Sequence, residues 1–415
     1  MKFYFPDSQD LVSPAYDFQH DEYPATRVRQ RDDLYAHEIL DAPPYSGILV
    51  SKSIVDGAMK GAGKYTGAQR ARLYRLGIRR FFRMPASILS LGDNGAFNYA
   101  DELVPPVTVE ETLDFYEGCG FDAGVSVDHI IFGYDPQASF EEVDAAWAER
   151  RKITLRLAEE FISRVSDQCL KVQPVGAAQG WSPASYADSV RQLQLMGYSR
   201  IALGGMVPLK TKDILECLRA IDAVRLPSTE LHLLGITRVE SMDAFSEYGV
   251  TSFDSTSAFR QAFMDDRNNF HTETDSFIAL RVPQVDGNPA LKRAILAGRV
   301  SQKEAVAQER VCLRALRDFD GTERAVQTSL TELGTYETIC QINKSNLAEY
   351  ERTLRAAPWT LCECSLCRQL GIEIAIFRGT ERNKRRGFHN MSVLANKMKK
   401  LKSNMLVSTI RSNHG

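Results

Sequence analysis

Leu170-Lys-Val-Gln-Pro-Val-Gly-Ala177 is a short β-type run, and the helical-period stretch 183–195 follows it. The same pairing then recurs three times: Arg200-Ile-Ala-Leu203 before 211–220, Glu230-Leu-His-Leu-Leu234 before 239–248, and Thr251-Ser-Phe253 before 257–263. Working back toward the N-terminus, 47–54 precedes a basic helical stretch at 67–76, 81–84 precedes 109–117, and 123–127 precedes 140–163. About eight strand–helix units at this spacing predict an α/β fold, a (β/α)8 TIM-like barrel rather than an open sheet. In such a barrel the loop after each strand lies on the active-site face.

At 415 residues the chain has room for one barrel and an appended subdomain. The pattern predicts an N-terminal extension at 1–45, a barrel catalytic core at 46–285, and a helical, zinc-binding and basic C-terminal subdomain at 286–415. Helical spacing recurs there at 289–298, 302–318 and 328–345, and an amphipathic stretch at 391–406. Gly57-Ala-Met-Lys-Gly-Ala-Gly63-Lys64 resembles a phosphate-binding loop, but its glycine spacing fails and it is set aside.

A composition of 44% hydrophobic and 25% charged residues is that of a globular protein. The first ten residues carry acids and a proline where a signal peptide needs an apolar core, and no stretch approaches the ~20 apolar residues of a membrane span. Scattered cysteines argue against a disulfide framework, so the expected compartment is the cytoplasm, without a membrane partner. The net charge of −2 hides an asymmetry: from Arg378 onward there are ten Lys or Arg against one acid, Glu381. This is the footprint of a phosphate-backbone binder, with Arg382, Lys384, Arg385, Arg386, Lys399 and Lys400 as candidates, joined by Arg70, Arg72, Arg79 and Arg80.

Just before that basic region, Cys362-Glu-Cys364-Ser-Leu-Cys367 is followed beyond a loop by His389. Thiolate and imidazole are the ligands tetrahedral Zn²⁺ prefers, and a Cys₃His shell leaves no position for water. The expected zinc is therefore structural.

Polar residues cluster where barrel strands should end. Asp93 lies in Gly92-Asp93-Asn94-Gly95-Ala96-Phe97, and Asp128 closes Gly124-Val-Ser-Val-Asp128. Gln179-Gly180 closes the run from Pro174, Gly204-Gly205 follows Ile201-Ala-Leu, and Asp254 closes Val250-Thr-Ser-Phe-Asp254. Each alone reads as a turn residue or helix cap. Together they put three carboxylates, an amide and a glycine pair around one mouth. One carboxylate can attack a sugar carbon and a second can move the departing base's proton. The third, with the amide and backbone groups, can read the edge of a planar heterocycle.

The ordered set of the Asp93 turn, Val127-Asp128, Gln179-Gly180, Leu203-Gly204-Gly205, Leu233-Leu234-Gly235, Phe253-Asp254 and Cys362-x-Cys364-x-x-Cys367…His389-Asn390 resembles the tRNA-guanine transglycosylases. The resemblance covers roughly residues 47–390. It implies exchange of a guanine in nucleic acid for a 7-deazaguanine through a covalent enzyme–sugar intermediate. Carried over by position, it makes Asp254 the nucleophile and Asp93 the general acid/base. Asp128, Gln179, Gly204 and Gly205 would hold the base, Met206 and Leu234 would sandwich it, and Cys362, Cys364, Cys367 and His389 would bind zinc.

The chain departs from the tRNA enzymes at Asn94, Ala96 and Asn98 in the first acid's turn, at Ser255 after the nucleophile, and at His129 after the base-reading acid. These departures, with the opening Lys2-Phe-Tyr-Phe-Pro, resemble the branch that acts on DNA and inserts 7-cyano-7-deazaguanine (preQ0). The alternatives are the same exchange on tRNA, or a non-catalytic nucleic-acid-binding subunit, which the presence of both Asp93 and Asp254 opposes. Expected partners are DNA and the free preQ0 base; helper proteins of a DNA-modification system and a homodimer are compatible with the resemblance.

Overall fold

The computed structural model describes residues 1–7, 9–57, 64–342 and 344–412. Most of the phosphate-loop-like 57–64 segment lies outside them. The chain divides into two compact units, one of residues 1–9, 45–256 and 398–415, the other of residues 10–44 and 257–397.

The first unit is a closed barrel of eight parallel strands: β1 (Lys2–Pro6), β2 (Gly47–Ser51), β3 (Leu89–Asp93), β4 (Ala123–Val125), β5 (Gln173–Ala178), β6 (Arg200–Leu203), β7 (Glu230–Leu233) and β8 (Val250–Asp254). Closure is made by β1 on β8, with Lys2 opposite Ser252 and Tyr4 opposite Asp254. Tyr4, Leu49, Leu91, Ala123, Val125, Val175, Ala177 and Ala202 fill its interior, and each larger aliphatic side chain buried there contributes about 1.5–3 kcal/mol. The crossing helices begin at side-chain caps, including Thr66 with Gln69, Thr108 with Glu111, and Ser182 followed by Pro183.

Two expectations are corrected. Lys2–Pro6 is the first barrel strand, not part of an extension, while residues 10–44 belong to the second unit. The stretch 81–84 is not a strand: Phe81 ends helix Gly67–Phe81, and Phe81 and Phe82 are buried there as a hydrophobic helix end. The strand lies further on, at Leu89-Ser-Leu-Gly-Asp93, where weak β-formers conceal it. Its Gly92 and the neighbouring Gly124 leave room for the Tyr116 ring, to which an added Cβ would come within 2.2 Å. The Tyr116 hydroxyl donates to the Val125 carbonyl at 3.0 Å, so helix Val109–Cys119 is seated on two bare patches of sheet.

The second unit is mainly helical, with Pro289–Leu296, Gln302–Arg317, Glu323–Ile339, Leu347–Ala356 and the greater part of Gly379–Ser412. Helices were expected at 289–298, 302–318, 328–345 and 391–406, and Leu347–Ala356 is a further one. Two short strand pairs, Phe270–His271 with Ser276–Phe277 and Leu280–Arg281 with Ile376–Phe377, tie its loops. Among the described residues no helix is long and apolar enough to cross a membrane.

Candidate active site and metal centre

Asp93, Asp128, Gln179, Gly204, Gly205, Met206, Leu234 and Asp254 all lie at or just beyond the C-terminal ends of β3 to β8, hence at one mouth of the barrel. Asp93 accepts the Ser51 hydroxyl at 2.6 Å and the Gly95 N–H at 3.0 Å, both on Oδ2. Burial, reinforced by the charge of Asp254, raises its carboxyl above the usual range. Asp254 is held through Oδ1, by the Gly235 N–H at 3.0 Å and by His232 Nε2 at 3.2 Å.

Asp128 accepts from Gln179 Nε2 at 2.6 Å, and the Gln179 side-chain Oε1 accepts the Ile131 N–H at 3.2 Å. The amide orientation is thus fixed from both ends. Burial first, and the Asp93 charge second, push Asp128 up to about 7. The Gly204 and Gly205 backbone lies against this pair. An added Cβ on Gly204 would come within 2.2 Å of Gln179 Nε2, and Gly205, at φ +74°, would meet the Ile131 carbonyl at 2.4 Å. Tyr186 fixes the Gly204 carbonyl by a 2.8 Å hydrogen bond.

The two side chains expected to sandwich a base differ. Leu234 is half-buried at the mouth, whereas Met206 is fully buried. Sequence reading missed Phe97, which is 72% exposed four residues beyond Asp93 and packs edge-on against Phe132 with ring centroids 5.6 Å apart. An aromatic within the glycine-flanked turn that follows Asp93 was a usable signal. His129 is buried, with Nε2 at 2.8 Å from the Glu102 carbonyl and its backbone N–H on Thr154. It ties the loops together.

The second unit brings Cys362, Cys364, Cys367 and His389 together, with all ligand atoms within 4.8 Å of one another. His389 Nδ1 is 3.6, 3.5 and 3.3 Å from the three sulfurs. Tetrahedral bonds of ~2.3 Å to sulfur and ~2.0 Å to nitrogen require roughly 3.5 Å between such atoms, so the donor set can hold one metal ion. The outer shell is prepared for it. His389 Nε2 is 2.8 Å from the His271 carbonyl, which aims Nδ1 at the sulfurs, and the ring stacks on Phe270. Asn390 bridges the His271 N–H and the Asn269 carbonyl, and the Cys367 N–H bonds the Cys364 sulfur at 3.4 Å.

The basic segment needs correction as a phosphate-binding surface. Arg382, Arg385 and Arg386 are 1%, 2% and 0% exposed, and their donors are consumed internally. Arg378 bonds Asp21 at 2.5 Å and Glu309 at 2.7 Å, while Arg382 bonds Glu373 at 2.7 Å, the Phe18 carbonyl at 2.8 Å and Asp21. Arg385 pairs with Glu381, which accepts the Ser13 N–H, and Arg386 grips the Ala262 carbonyl at 2.6 Å with those of Ile374 and Ile376. These bonds explain why residues 10–44 fold with the second unit. Lys384 is tied to Asp10 and the Leu11 carbonyl, and Arg79 to Asp122. Lys399, Lys400, Arg70 and Arg80 are exposed, and Arg72 is half-buried.

No protein-family model matches the chain. A DNA-guanine transglycosylase of Salmonella montevideo is 47% identical to it over 404 residues, covering 96% of each protein.

Proposed function

The chain belongs to the DNA-guanine transglycosylases, an enzyme family, and from that premise we propose that it replaces guanine in DNA with the free base preQ0 through a covalent bond from Asp254 to the sugar. The observation that carries the reading is the pairing of two carboxylates with different surroundings at one barrel mouth. Asp93 is raised by burial and suited to deliver a proton, while Asp254 is tethered by donors and suited to attack.

The target guanine leaves the stack, at a cost of a few kcal/mol, so that its C1′ reaches Asp254. Asp254 forms the bond to C1′ as the bond to the base breaks, and the electron pair that leaves with guanine takes a proton from Asp93. Incoming preQ0 returns a ring proton to Asp93 and attacks C1′, restoring the Asp254 carboxylate. Asp128 and Gln179 address the donor and acceptor edge of both bases, with the Gly204-Gly205 backbone alongside. Leu234 and Phe97 supply apolar walls for a planar ring, and Met206 backs the pocket from the core.

Zn²⁺ is the proposed occupant of the Cys₃His cluster. It supplies structural cross-linking only, because four protein ligands complete its shell. Lys399, Lys400, Arg70 and Arg80 are the proposed phosphate contacts.

The decisive experiment offers radiolabelled preQ0 with duplex DNA or with bulk tRNA. Label should enter DNA and not tRNA, and Asp254→Ala should abolish incorporation while DNA affinity stays within about twofold. Turnover by Asp254→Ala would remove the covalent mechanism.

A further inference from the structure

β7 and β8 do not pair evenly. Leu231 lies opposite Val250 but His232 lies opposite Ser252, so Thr251 is an extra residue in β8. Bulges of this kind re-aim the side chains that follow them. Alternation puts Ser252 and Asp254 on one face of β8, and the pairing adds His232 and Tyr4 to that face. Had the pairing run on without the bulge, His232 would stand opposite Thr251, whose side chain points the other way.

His232 and Ser252 are each 3% exposed. Ser252 Oγ is 2.9 Å from His232 Nδ1, and Asp254 Oδ1 is 3.2 Å from Nε2. A carboxylate can only accept, so Nε2 carries the hydrogen, and in the neutral ring Nδ1 then accepts the Ser252 hydroxyl. The Gly235 N–H is a second donor to the same Oδ1. Among the described residues no hydrogen bond is made to Oδ2.

We propose that His232, held in one tautomer by Ser252, is the positioning residue for the nucleophile, and that Oδ2 of Asp254 is the atom that bonds C1′. The inference rests on Asp254 being the nucleophile. As Oδ2 gives an electron pair to C1′, the C1′–N9 bond breaks and its pair leaves on guanine. Oδ1 becomes the ester carbonyl oxygen and keeps both donors. When the second base attacks, the Oδ2–C1′ pair returns to the carboxylate, and the same two donors stabilise its charge. His232 presents an N–H to the reaction, so it cannot take the incoming base's proton, which is left to Asp93.

The test follows formation of a denaturant-resistant protein–DNA adduct in single-turnover reactions without added preQ0, alongside DNA affinity by fluorescence anisotropy. His232→Phe keeps a flat ring and removes the donor. It should slow adduct formation by about 10- to 100-fold at unchanged DNA affinity. His232→Gln restores an N–H at the same reach and should recover a rate within a few-fold of wild type. Ser252→Ala frees the tautomer and should slow the step by about 3- to 10-fold. A His232→Phe rate equal to wild type, or a His232→Gln rate no better than His232→Phe, overturns the proposal; if His232→Phe does not fold, a wild-type rate in Ser252→Ala does so. Peptide mapping of the wild-type adduct separates the two readings. An adduct on another residue overturns the nucleophile assignment, whereas an adduct on Asp254 with unaffected His232 variants overturns only the role of His232.

Discussion

Charge is buried in both units of this protein and handled in opposite ways. In the second unit, Arg378, Arg382 and Arg385 are each matched by Asp21, Glu309, Glu373 or Glu381, and three cysteine sulfurs converge on one imidazole as a metal shell requires. At the barrel mouth, Asp93, Asp128 and Asp254 share one rim, and among the described residues no Lys or Arg forms an ion pair with them. Neutralised charge fixes a fold; at the mouth burial first, and a neighbouring carboxylate second, raise the proton affinity of Asp93 and Asp128. On the function proposed above, the difference separates what the protein needs to stand from what it needs to act.

Four measurements can break or sharpen that contrast. Removing the proposed zinc should have the largest effect, because three clustered thiols would lose their cation and the second unit its cross-link. A chelator should produce loss of helical circular dichroism at temperatures where the metal-loaded protein is folded, with zinc released in about one-to-one ratio. Next, Arg382→Met removes one of the two arginines on Asp21 and one of the two on Glu373 and should cost about 3–5 kcal/mol by denaturant titration, whereas Asp254→Asn should cost under ~1 kcal/mol. Equal costs would erase the distinction.

The third measurement is stability against pH. Asp128 binds its proton more tightly folded than unfolded, so stability falls as pH rises from about 4 through about 7. Asp128→Asn should remove about 2–4 kcal/mol of that fall, seen as converging urea midpoints at pH 5 and pH 8. The smallest effect should come from the surface. Lys399→Ala with Lys400→Ala should lower the slope of log affinity against log salt by about one per lost phosphate contact, with folding unchanged.

Local chemistry was legible in the sequence and distant partnership was not. The metal cluster could be read because three of its ligands fall within six residues, and the mouth because acids and glycines closed successive β-type runs. The fate of the arginines could not: Arg378 and Arg382 find Asp21 at sequence separations of 357 and 361. A basic run reads the same whether solvated or paired. β1 was lost because residues 10–44, which fold elsewhere, interrupt the strand–helix rhythm. The pairing of His232 with Asp254 depends on a one-residue bulge, which no pattern of hydrophobicity marks.

Closure of the barrel by its first strand also has a consequence for synthesis. Lys2 pairs with Ser252, so on the ribosome β1 emerges 250 residues before the strand that completes it (252 − 2). Until then the growing sheet exposes two edges, both open to wrong partners. The last edge to be covered is the one that carries Asp254, opposite Tyr4. A nascent or N-terminally clipped chain therefore lacks the strand that sets Asp254 in register, and on the function proposed above its activity begins only when the ring is complete.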